Sequence, residues 1–419
     1  MAAEALSAPT SSAANLRRNV LLFLLVTAGI LNYADRQVIA VLKPMLQHNL
    51  GWSDRDYGDM TSVFQFAAAI AYLGAGWFVD KVGWRRANPI AVGTWSLAAM
   101  SHALAHTLGQ FTIARVALGA TEALGTPTAL KTVAVFFSAK ARSFAMGAMN
   151  ASNNLGAIIT PLLVPLLALQ VGWQATFLLI GGLGLIWAIA WVLAASGDVA
   201  VAEHPAPTPA QAAQESGSLW RAVLTDRATW AIAGAKVLSD QVWWFLLFWT
   251  PDMLQRVFHL DMRSFGLPLA IIYGIAGLGS IIGGYASGRL LASGFSLNAA
   301  RKLTMLVCAL LVTPVPLLLI AGNVWIAVGL LSLTLAAHQG FSVNLFALTA
   351  DVAPNSRVAS VISVGALCGN LAGMLILQLA GRLLAAGYGY GPLLILAAVS
   401  YLLALGWVQL LLPKIEARN

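Results

Sequence analysis

Residues 21–42 read LLFLLVTAGILNYADRQVIAVL, an apolar run long enough to cross roughly 30 Å of hydrocarbon, with Asn32, Asp35 and Arg36 inside it. A carboxylate or a guanidinium at the centre of a span costs roughly 2.5–3.5 kcal/mol to insert. Intramembrane ionisable groups face a bundle interior or an aqueous cavity rather than lipid. At spacings of i, i+3 and i+4, the three residues share one face of a helix. The stretch therefore predicts a membrane helix that turns a charged face toward other helices.

The rest of the chain agrees. Its 419 residues are 59% hydrophobic and only 10% charged, and the mean hydropathy is +0.78. A soluble domain of this size carries its apolar residues in amphipathic stripes and reaches no such value. Residues 1–18, MAAEALSAPTSSAANLRR, lack an apolar core, and the first apolar run is too long for a secretory signal. That run is expected to stay as a span. Cys308 and Cys368 give neither a disulfide framework nor a metal site. The chain has no nucleophile elbow, phosphate loop or metal-ligand spacing, so no enzyme, cofactor or metal is expected.

Apolar stretches of about 20 residues give twelve spans: 19–42, 58–80, 88–106, 109–137, 143–168, 174–195, 228–250, 265–291, 302–320, 323–350, 357–381 and 391–412. The spans are read as helices, because open strands cannot satisfy their backbone groups in lipid. With the N-terminus inside, fifteen of the 24 Lys and Arg border the cytoplasm, five (Lys43, Arg55, Arg256, Arg263, Arg382) fall outside, and four (Arg36, Arg115, Lys131, Lys236) lie within spans. This bias predicts both termini in the cytoplasm, with residues 1–18 and 413–419 as tails. It also accounts for the net charge of +8, which is no sign of nucleic-acid binding.

Residues 196–227, rich in Ala, Pro, Ser and Gln, read as a linker between a lobe at 19–195 and a lobe at 228–412. The halves repeat: QHNLGWSDRDYG at 47–58 parallels QRVFHLDMRSFG at 255–266, and GWFVDKVG at 76 parallels GYASGRLL at 284. Gln47, Gly58, Gly76 and Lys81 each meet a like residue 208 positions on. Two similar six-span lobes follow, with a site expected at their interface near the midplane.

Arg115 and Glu122, seven apart in the fourth span, repeat the pairing of cation and acid on one helix face. An arginine can clamp a carboxylate bidentately. A carboxylate in a cavity that opens and closes can take up and release a proton. Arginine plus acid, twice, suffices to couple an anion to protons; the same pairs could also be structural ion pairs. Tyr33, Asn153, Asn154, Gln241, His338, Gln339, Asn344 and Asn370 are candidates for reading hydroxyls, or else helix–helix hydrogen bonds. Trp243, Trp244 and Trp249 could stack on a ligand or simply pack. Lys236 and Asp240, four apart, read as a structural pair, and Lys131 as part of an exit path.

GWFVDKVGWRR at 76–86 resembles the loop motif of the major facilitator superfamily: Gly, three residues, Asp, a basic residue, one residue, Gly, then basic residues. Gly76 allows close helix approach, and Asp80 is suited to accept from helix N-terminal amides at a cytoplasmic gate. In the second copy Gly288 replaces the acid, so a lock there should be weaker. NYADR, ARVALGATEALGTPTALK, KVLSDQVWWFLLFWTPDML and AAHQGFSVNLFALTADV look like spans one, four, seven and ten of the anion:cation symporters, within them the hexuronate and aldonate transporters.

That resemblance implies an all-α membrane protein of twelve transmembrane helices in two pseudo-symmetric six-helix lobes. It also implies a proton-coupled symporter of the inner membrane that imports a hexuronate by alternating access, acting as a monomer. By the same resemblance Asp35 and Glu122 handle protons and Arg36 and Arg115 hold the anion. Tyr33, Asn153, Gln241, His338, Gln339, Asn344 and Asn370 complete the expected substrate site, and Gly76, Asp80, Lys81 and Arg85 the gate. Where related transporters often have a tyrosine in span two, this chain has Ala68, which bears on pocket shape and substrate identity. The competing reading is a proton-driven exporter, whose span-five glycine motif NNLGAIITPLL matches only at Gly156 and Pro161. A non-transporting sensor has no attached signalling domain to support it.

Overall fold

In the computed structural model, which describes residues 12–136, 139–196, 221–354 and 357–415, every regular element is helical. The helices are α1 (Ser12–Leu50), α2 (Asp54–Val82), α3 (Trp84–Ser101), α4 (Leu108–Glu122), α5 (Gly125–Phe136) and α6 (Ala139–Ala195) in the first half. In the second half they are α7 (Arg227–Phe258), α8 (Gly266–Ala292), α9 (Leu297–Val312), α10 (Val324–Val352), α11 (Val358–Ala385) and α12 (Gly391–Leu411). Residues 1–11, 197–220 and 416–419, which hold most of both tails and of the linker, lie outside the described residues.

The helices run back and forth as a membrane bundle. Eight of the described segments are long and apolar enough to cross a bilayer. One of these, α6, is two spans in one, folded back at Gly172, where φ is +84°. The short α3, the charged α7, and α4 with α5 in series complete the twelve crossings of the sequence pattern. The fourth crossing is interrupted at Ala123–Leu124, directly after Glu122. Pro127 supplies the reason, having no N–H to donate to the Ala123 carbonyl.

Burial follows the logic of a lipid solvent. Ile113 and Ile281 are about 70% exposed, whereas Lys43, Arg115 and Glu122 are sealed inside the bundle.

The repeat has a structural counterpart. Ser53 and Asp56 form a reciprocal capping box at the start of α2, the Ser53 amide donating to Asp56 at 2.9 Å and the Asp56 amide to Ser53 Oγ at 3.2 Å. At the same offset of 208, Asp261 and Ser264 exchange the equivalent pair of bonds before α8, each at 2.9 Å, with acid and hydroxyl swapped. The Ser264 hydroxyl and the Ser264 and Arg263 amides hold the Asp261 carboxyl, outside the spans, below its usual range.

The lobes meet where α2 packs on α11 and α6 on α8, two contacts that the repeat exchanges. Gly58 and Gly381 mark the closest approach of α2 and α11: a Cβ on Gly58 would lie 2.8 Å from the Gly381 Cα. We call the side where α1 begins the near face and the side where it ends the far face.

Candidate functional site

Two clusters of charge sit at the lobe interface. The first is midway through the bundle and belongs to the first lobe. Arg36 Nε donates to Glu122 Oε2 at 2.6 Å, joining α1 to α4. The Arg36 guanidinium carbon lies 5.8, 5.6 and 5.7 Å from the rings of Tyr33, Phe64 and Trp244. Trp244 belongs to α7, so this arginine touches both lobes.

Arg115 shares the Phe64 ring, 5.7 Å from its centroid, so that one aromatic separates two guanidinium groups. Among the described residues no acceptor reaches any of the three Arg115 guanidinium nitrogens, nor does a donor reach Glu122 Oε1. Asp35 is buried alongside. The same-helix pairs expected from spacing, Asp35 with Arg36 and Arg115 with Glu122, do not form. The ion pair crosses between helices instead, because i, i+1 side chains diverge and two helical turns separate 115 from 122.

A cavity of about 330 Å³ lies in the near half of the bundle, and its lining comes within one helical turn of Arg36 at Asn32. Asn32, Trp95, Thr126, Ser152 and Asn153 line it from the first lobe and Phe346 from the second. Its size is at the lower end of small-molecule pockets.

The other proposed hydroxyl readers divide. Tyr33 and Asn153 lie at the cluster and the cavity. Asn344 donates to the Gly340 carbonyl of its own helix and to the Gly283 carbonyl of α8, tying the two helices, while Asn370 donates to the Ala366 carbonyl within α11. Gln241 reaches Ser400 at 3.3 Å, binding α7 to α12. His338 is stacked on Trp243 at 5.0 Å and shares a 2.6 Å hydrogen bond with the Tyr401 hydroxyl. Gln339 is half-buried on α10.

On the near face Asp80 meets Lys131 at 2.8 Å rather than helix amides, so the lysine assigned to an exit path is tied to the loop motif. Lys81 and Arg85 lie over Trp77 and Trp84 at 4.8 and 5.3 Å. Gly76 has open space around it, so it permits no close helix contact here.

The second cluster seals the far face, and sequence reasoning missed it. Lys43, wholly buried on α1, contacts Asp54 at 2.9 Å and Asp252 at 2.6 Å. Arg256 spans the lobes as well, 2.5 Å from Asp54 and 3.0 Å from Asp252. The Tyr390 hydroxyl donates to Asp252, and the Tyr57 hydroxyl to the Phe248 carbonyl at 2.9 Å. The available signal was a lone lysine in IAVLKPML and a lone aspartate in FWTPDML, opposite charges in opposite halves.

A twelve-crossing bundle of two repeated lobes, closed at one face and open at the other, has a known counterpart. The family description Major Facilitator Superfamily matches residues 25–377. The chain belongs to the Major Facilitator Superfamily.

Among superfamily members, it is 29% identical over 392 residues to the hexuronate transporter of Escherichia coli (strain K12), covering 90% of both chains. It is also 29% identical to the probable L-galactonate transporter of the same organism, over 68% of this chain and 65% of that one. A galacturonate transporter of Dickeya chrysanthemi is 29% identical over 68% of this chain and 87% of its own. These relatives bear the names of transporters, not of enzymes. The fold matches a crystal structure of a bacterial homologue of the human lysosomal transporter Spinster, in an inward-facing and occupied conformation. That match has a TM-score of 0.74 and 18% identity and covers 94% of this chain and 96% of that one.

Proposed function

We propose that this chain is a proton-coupled symporter that imports a sugar-acid anion, a hexuronate such as glucuronate or galacturonate, by alternating access. The observation that carries the reading is the single Arg36–Glu122 ion pair beside a second arginine with no protein acceptor. Asp35, Arg36, Arg115 and Glu122 sum to zero when all are ionised. A proton on Glu122 weakens its hold on Arg36 and leaves the cluster with one net positive charge, which suits a monoanion. Arg36 then exchanges Glu122 for the substrate carboxylate, and Arg115 supplies the second clamp. Proton and anion thus favour each other's binding, as symport requires. The names of the relatives point to the same class of substrate.

The bias of basic residues puts both termini in the cytoplasm of an inner-membrane protein, and the observed arrangement is then inward-facing. The far-face cluster is the outer gate, while Asp80 with Lys131, Lys81 and Arg85 belong to the inner one. The protein works as a monomer, because each pair of lobes encloses a whole site.

The direct test is uptake of radiolabelled glucuronate, galacturonate and galactonate into proteoliposomes under an inward proton gradient. Accumulation that a protonophore abolishes is expected. Failure of all three substrates, or accumulation driven only by sodium, would refute the proposal.

The outer gate makes its own prediction. Asp252→Asn removes one of the two acids holding Lys43, and a buried cation that loses a partner typically costs about 3–5 kcal/mol. That cost falls on the state closed at the far face. Spin labels at Asn49 and Arg263, on exposed ends of opposite lobes, should show a longer-distance population in the variant. Identical distance distributions would remove the gate assignment.

A further inference from the structure

Lys236, Asp240 and Trp244 follow one another at spacings of four on α7, so they form a single row along the helix. Two contacts fix where that row points. Trp244 lies 5.7 Å from the guanidinium of Arg36 in the opposite lobe. Lys236 Nζ lies 5.0 Å from the Phe346 ring, which lines the cavity together with Asn32 and Asn153. The row spans roughly 12 Å at 1.5 Å per residue, so the ion pair stands between the mouth of the cavity and the arginine cluster.

Its setting is intermediate among the ion pairs, as is that of Arg301 and Asp351 near the start of α9. Lys236 Nζ and Asp240 Oδ2 are 2.7 Å apart, with side chains 12% and 14% exposed. Lys43 and Asp252 are sealed, and Arg55 and Asp59 stand in the open. On α11, Gly365, Gly369 and Gly373 repeat the spacing of four. A Cβ at these positions would come 3.3 Å from Lys236 Cγ, 3.1 Å from Asp240 Cγ and 2.9 Å from Trp244 Cγ. The missing side chains let the row lie flat on α11, with the Asp240 carboxylate against Gly369 and Lys236 beside Phe346, which lines the cavity.

An ionised carboxylate offers about four acceptor positions and an ammonium three donors. The pair uses one of each on itself. Among the described residues the nearest further donor to Asp240 is the Ser239 hydroxyl, at 3.4 Å from Oδ1. What fits such a pair is a group that donates and accepts side by side without charge, namely vicinal hydroxyls. A second carboxylate does not fit, since Asp240 would repel it and Lys236 is already neutralised.

We infer that Lys236 and Asp240 are the hydroxyl-reading half of the substrate site, and that they confine it to sugar acids with one carboxylate, excluding dicarboxylates. This rests on the reading above, in which Arg36 and Arg115 take that one carboxylate.

The experiment is equilibrium binding of radiolabelled galacturonate to purified protein, with galactarate, the dicarboxylate of similar length, as competitor. Wild-type protein should bind galacturonate and ignore galactarate. Asp240→Asn, which leaves Lys236 without its acid, should weaken galacturonate binding about tenfold or more and let galactarate compete. The double variant Lys236→Met/Asp240→Leu carries no unpaired charge into the bundle. It should fold, lose galacturonate affinity to a similar extent and gain nothing for galactarate. Wild-type protein that binds both acids alike, or a folded double variant with wild-type galacturonate affinity, overturns the inference. So does an Asp240→Asn protein with an unchanged ratio of the two affinities. Wild-type protein that binds no sugar acid overturns the proposed function itself, and this inference with it.

Discussion

Glu122→Gln protein is expected to exchange its sugar acid across the membrane yet fail to concentrate it under an inward proton gradient. Glutamine resembles the protonated acid in shape and charge but has no proton to give up. Arg36 loses its 2.6 Å ionic partner and is permanently available to the substrate carboxylate, so binding should be retained. The energy source is what disappears. A difference of one pH unit coupled to one proton supports roughly tenfold accumulation, and the variant ratio should fall to about one. Counterflow of labelled against unlabelled substrate, measured beside gradient-driven uptake in the same vesicles, separates the two capacities. If the variant still concentrates substrate, Glu122 is structural and Asp35 must carry the coupling alone.

The second large effect belongs to the arginines, and the two should differ in a revealing way. Arg36→Ala and Arg115→Ala are each expected to remove a charged contact to the carboxylate and to weaken substrate binding by about a hundredfold or more, in line with the roughly 2–5 kcal/mol lost when one partner of a buried charge pair is cut away. Their effects on the empty protein should diverge. Arg115 has no hydrogen-bond acceptor among the described residues, so its removal breaks no hydrogen bond and should lower the melting temperature less than removal of Arg36 does. Arg36 is the partner of Glu122, so its removal leaves a buried acid behind and should lower the melting temperature. Calorimetry without substrate and binding titration with it test both halves. Normal substrate affinity in either folded variant would end the clamp assignment.

The twelve crossings were legible because a hydrocarbon solvent enforces length and apolarity, a signal each segment carries by itself. The repeat was legible through a handful of glycine and polar positions, and the reciprocal acid–hydroxyl pairs at Ser53–Asp56 and Asp261–Ser264 are its structural trace in the segments that lead into α2 and α8. The interruption after Glu122 was not legible, since Ala123 and Leu124 sit in an unbroken apolar run and the cause, Pro127, comes three residues later. For the site, sequence named the four charged residues but paired them within helices. Partner choice is a tertiary matter, and Arg36 finds Glu122 across 86 positions. Asn344 bonds across to α8 and Asn370 within its own helix, and neither is distinguishable in sequence from an asparagine that reads a hydroxyl. The far-face cluster joins residues 209 and 202 positions apart, a distance over which local patterns say nothing.

That cluster has an electrical consequence. Two cations, Lys43 and Arg256, face two anions, Asp54 and Asp252, so the assembly carries no net charge. Moving one elementary charge through a membrane potential is worth about 2.3 kcal/mol per 100 mV, enough to hold a charged gate shut or force it open in an energised cell. A neutral one feels almost none of this. In the proposed symport, voltage would therefore act on the proton and the anion as they cross while leaving the far-face closure itself indifferent, on the same energetic footing in resting and energised membranes alike.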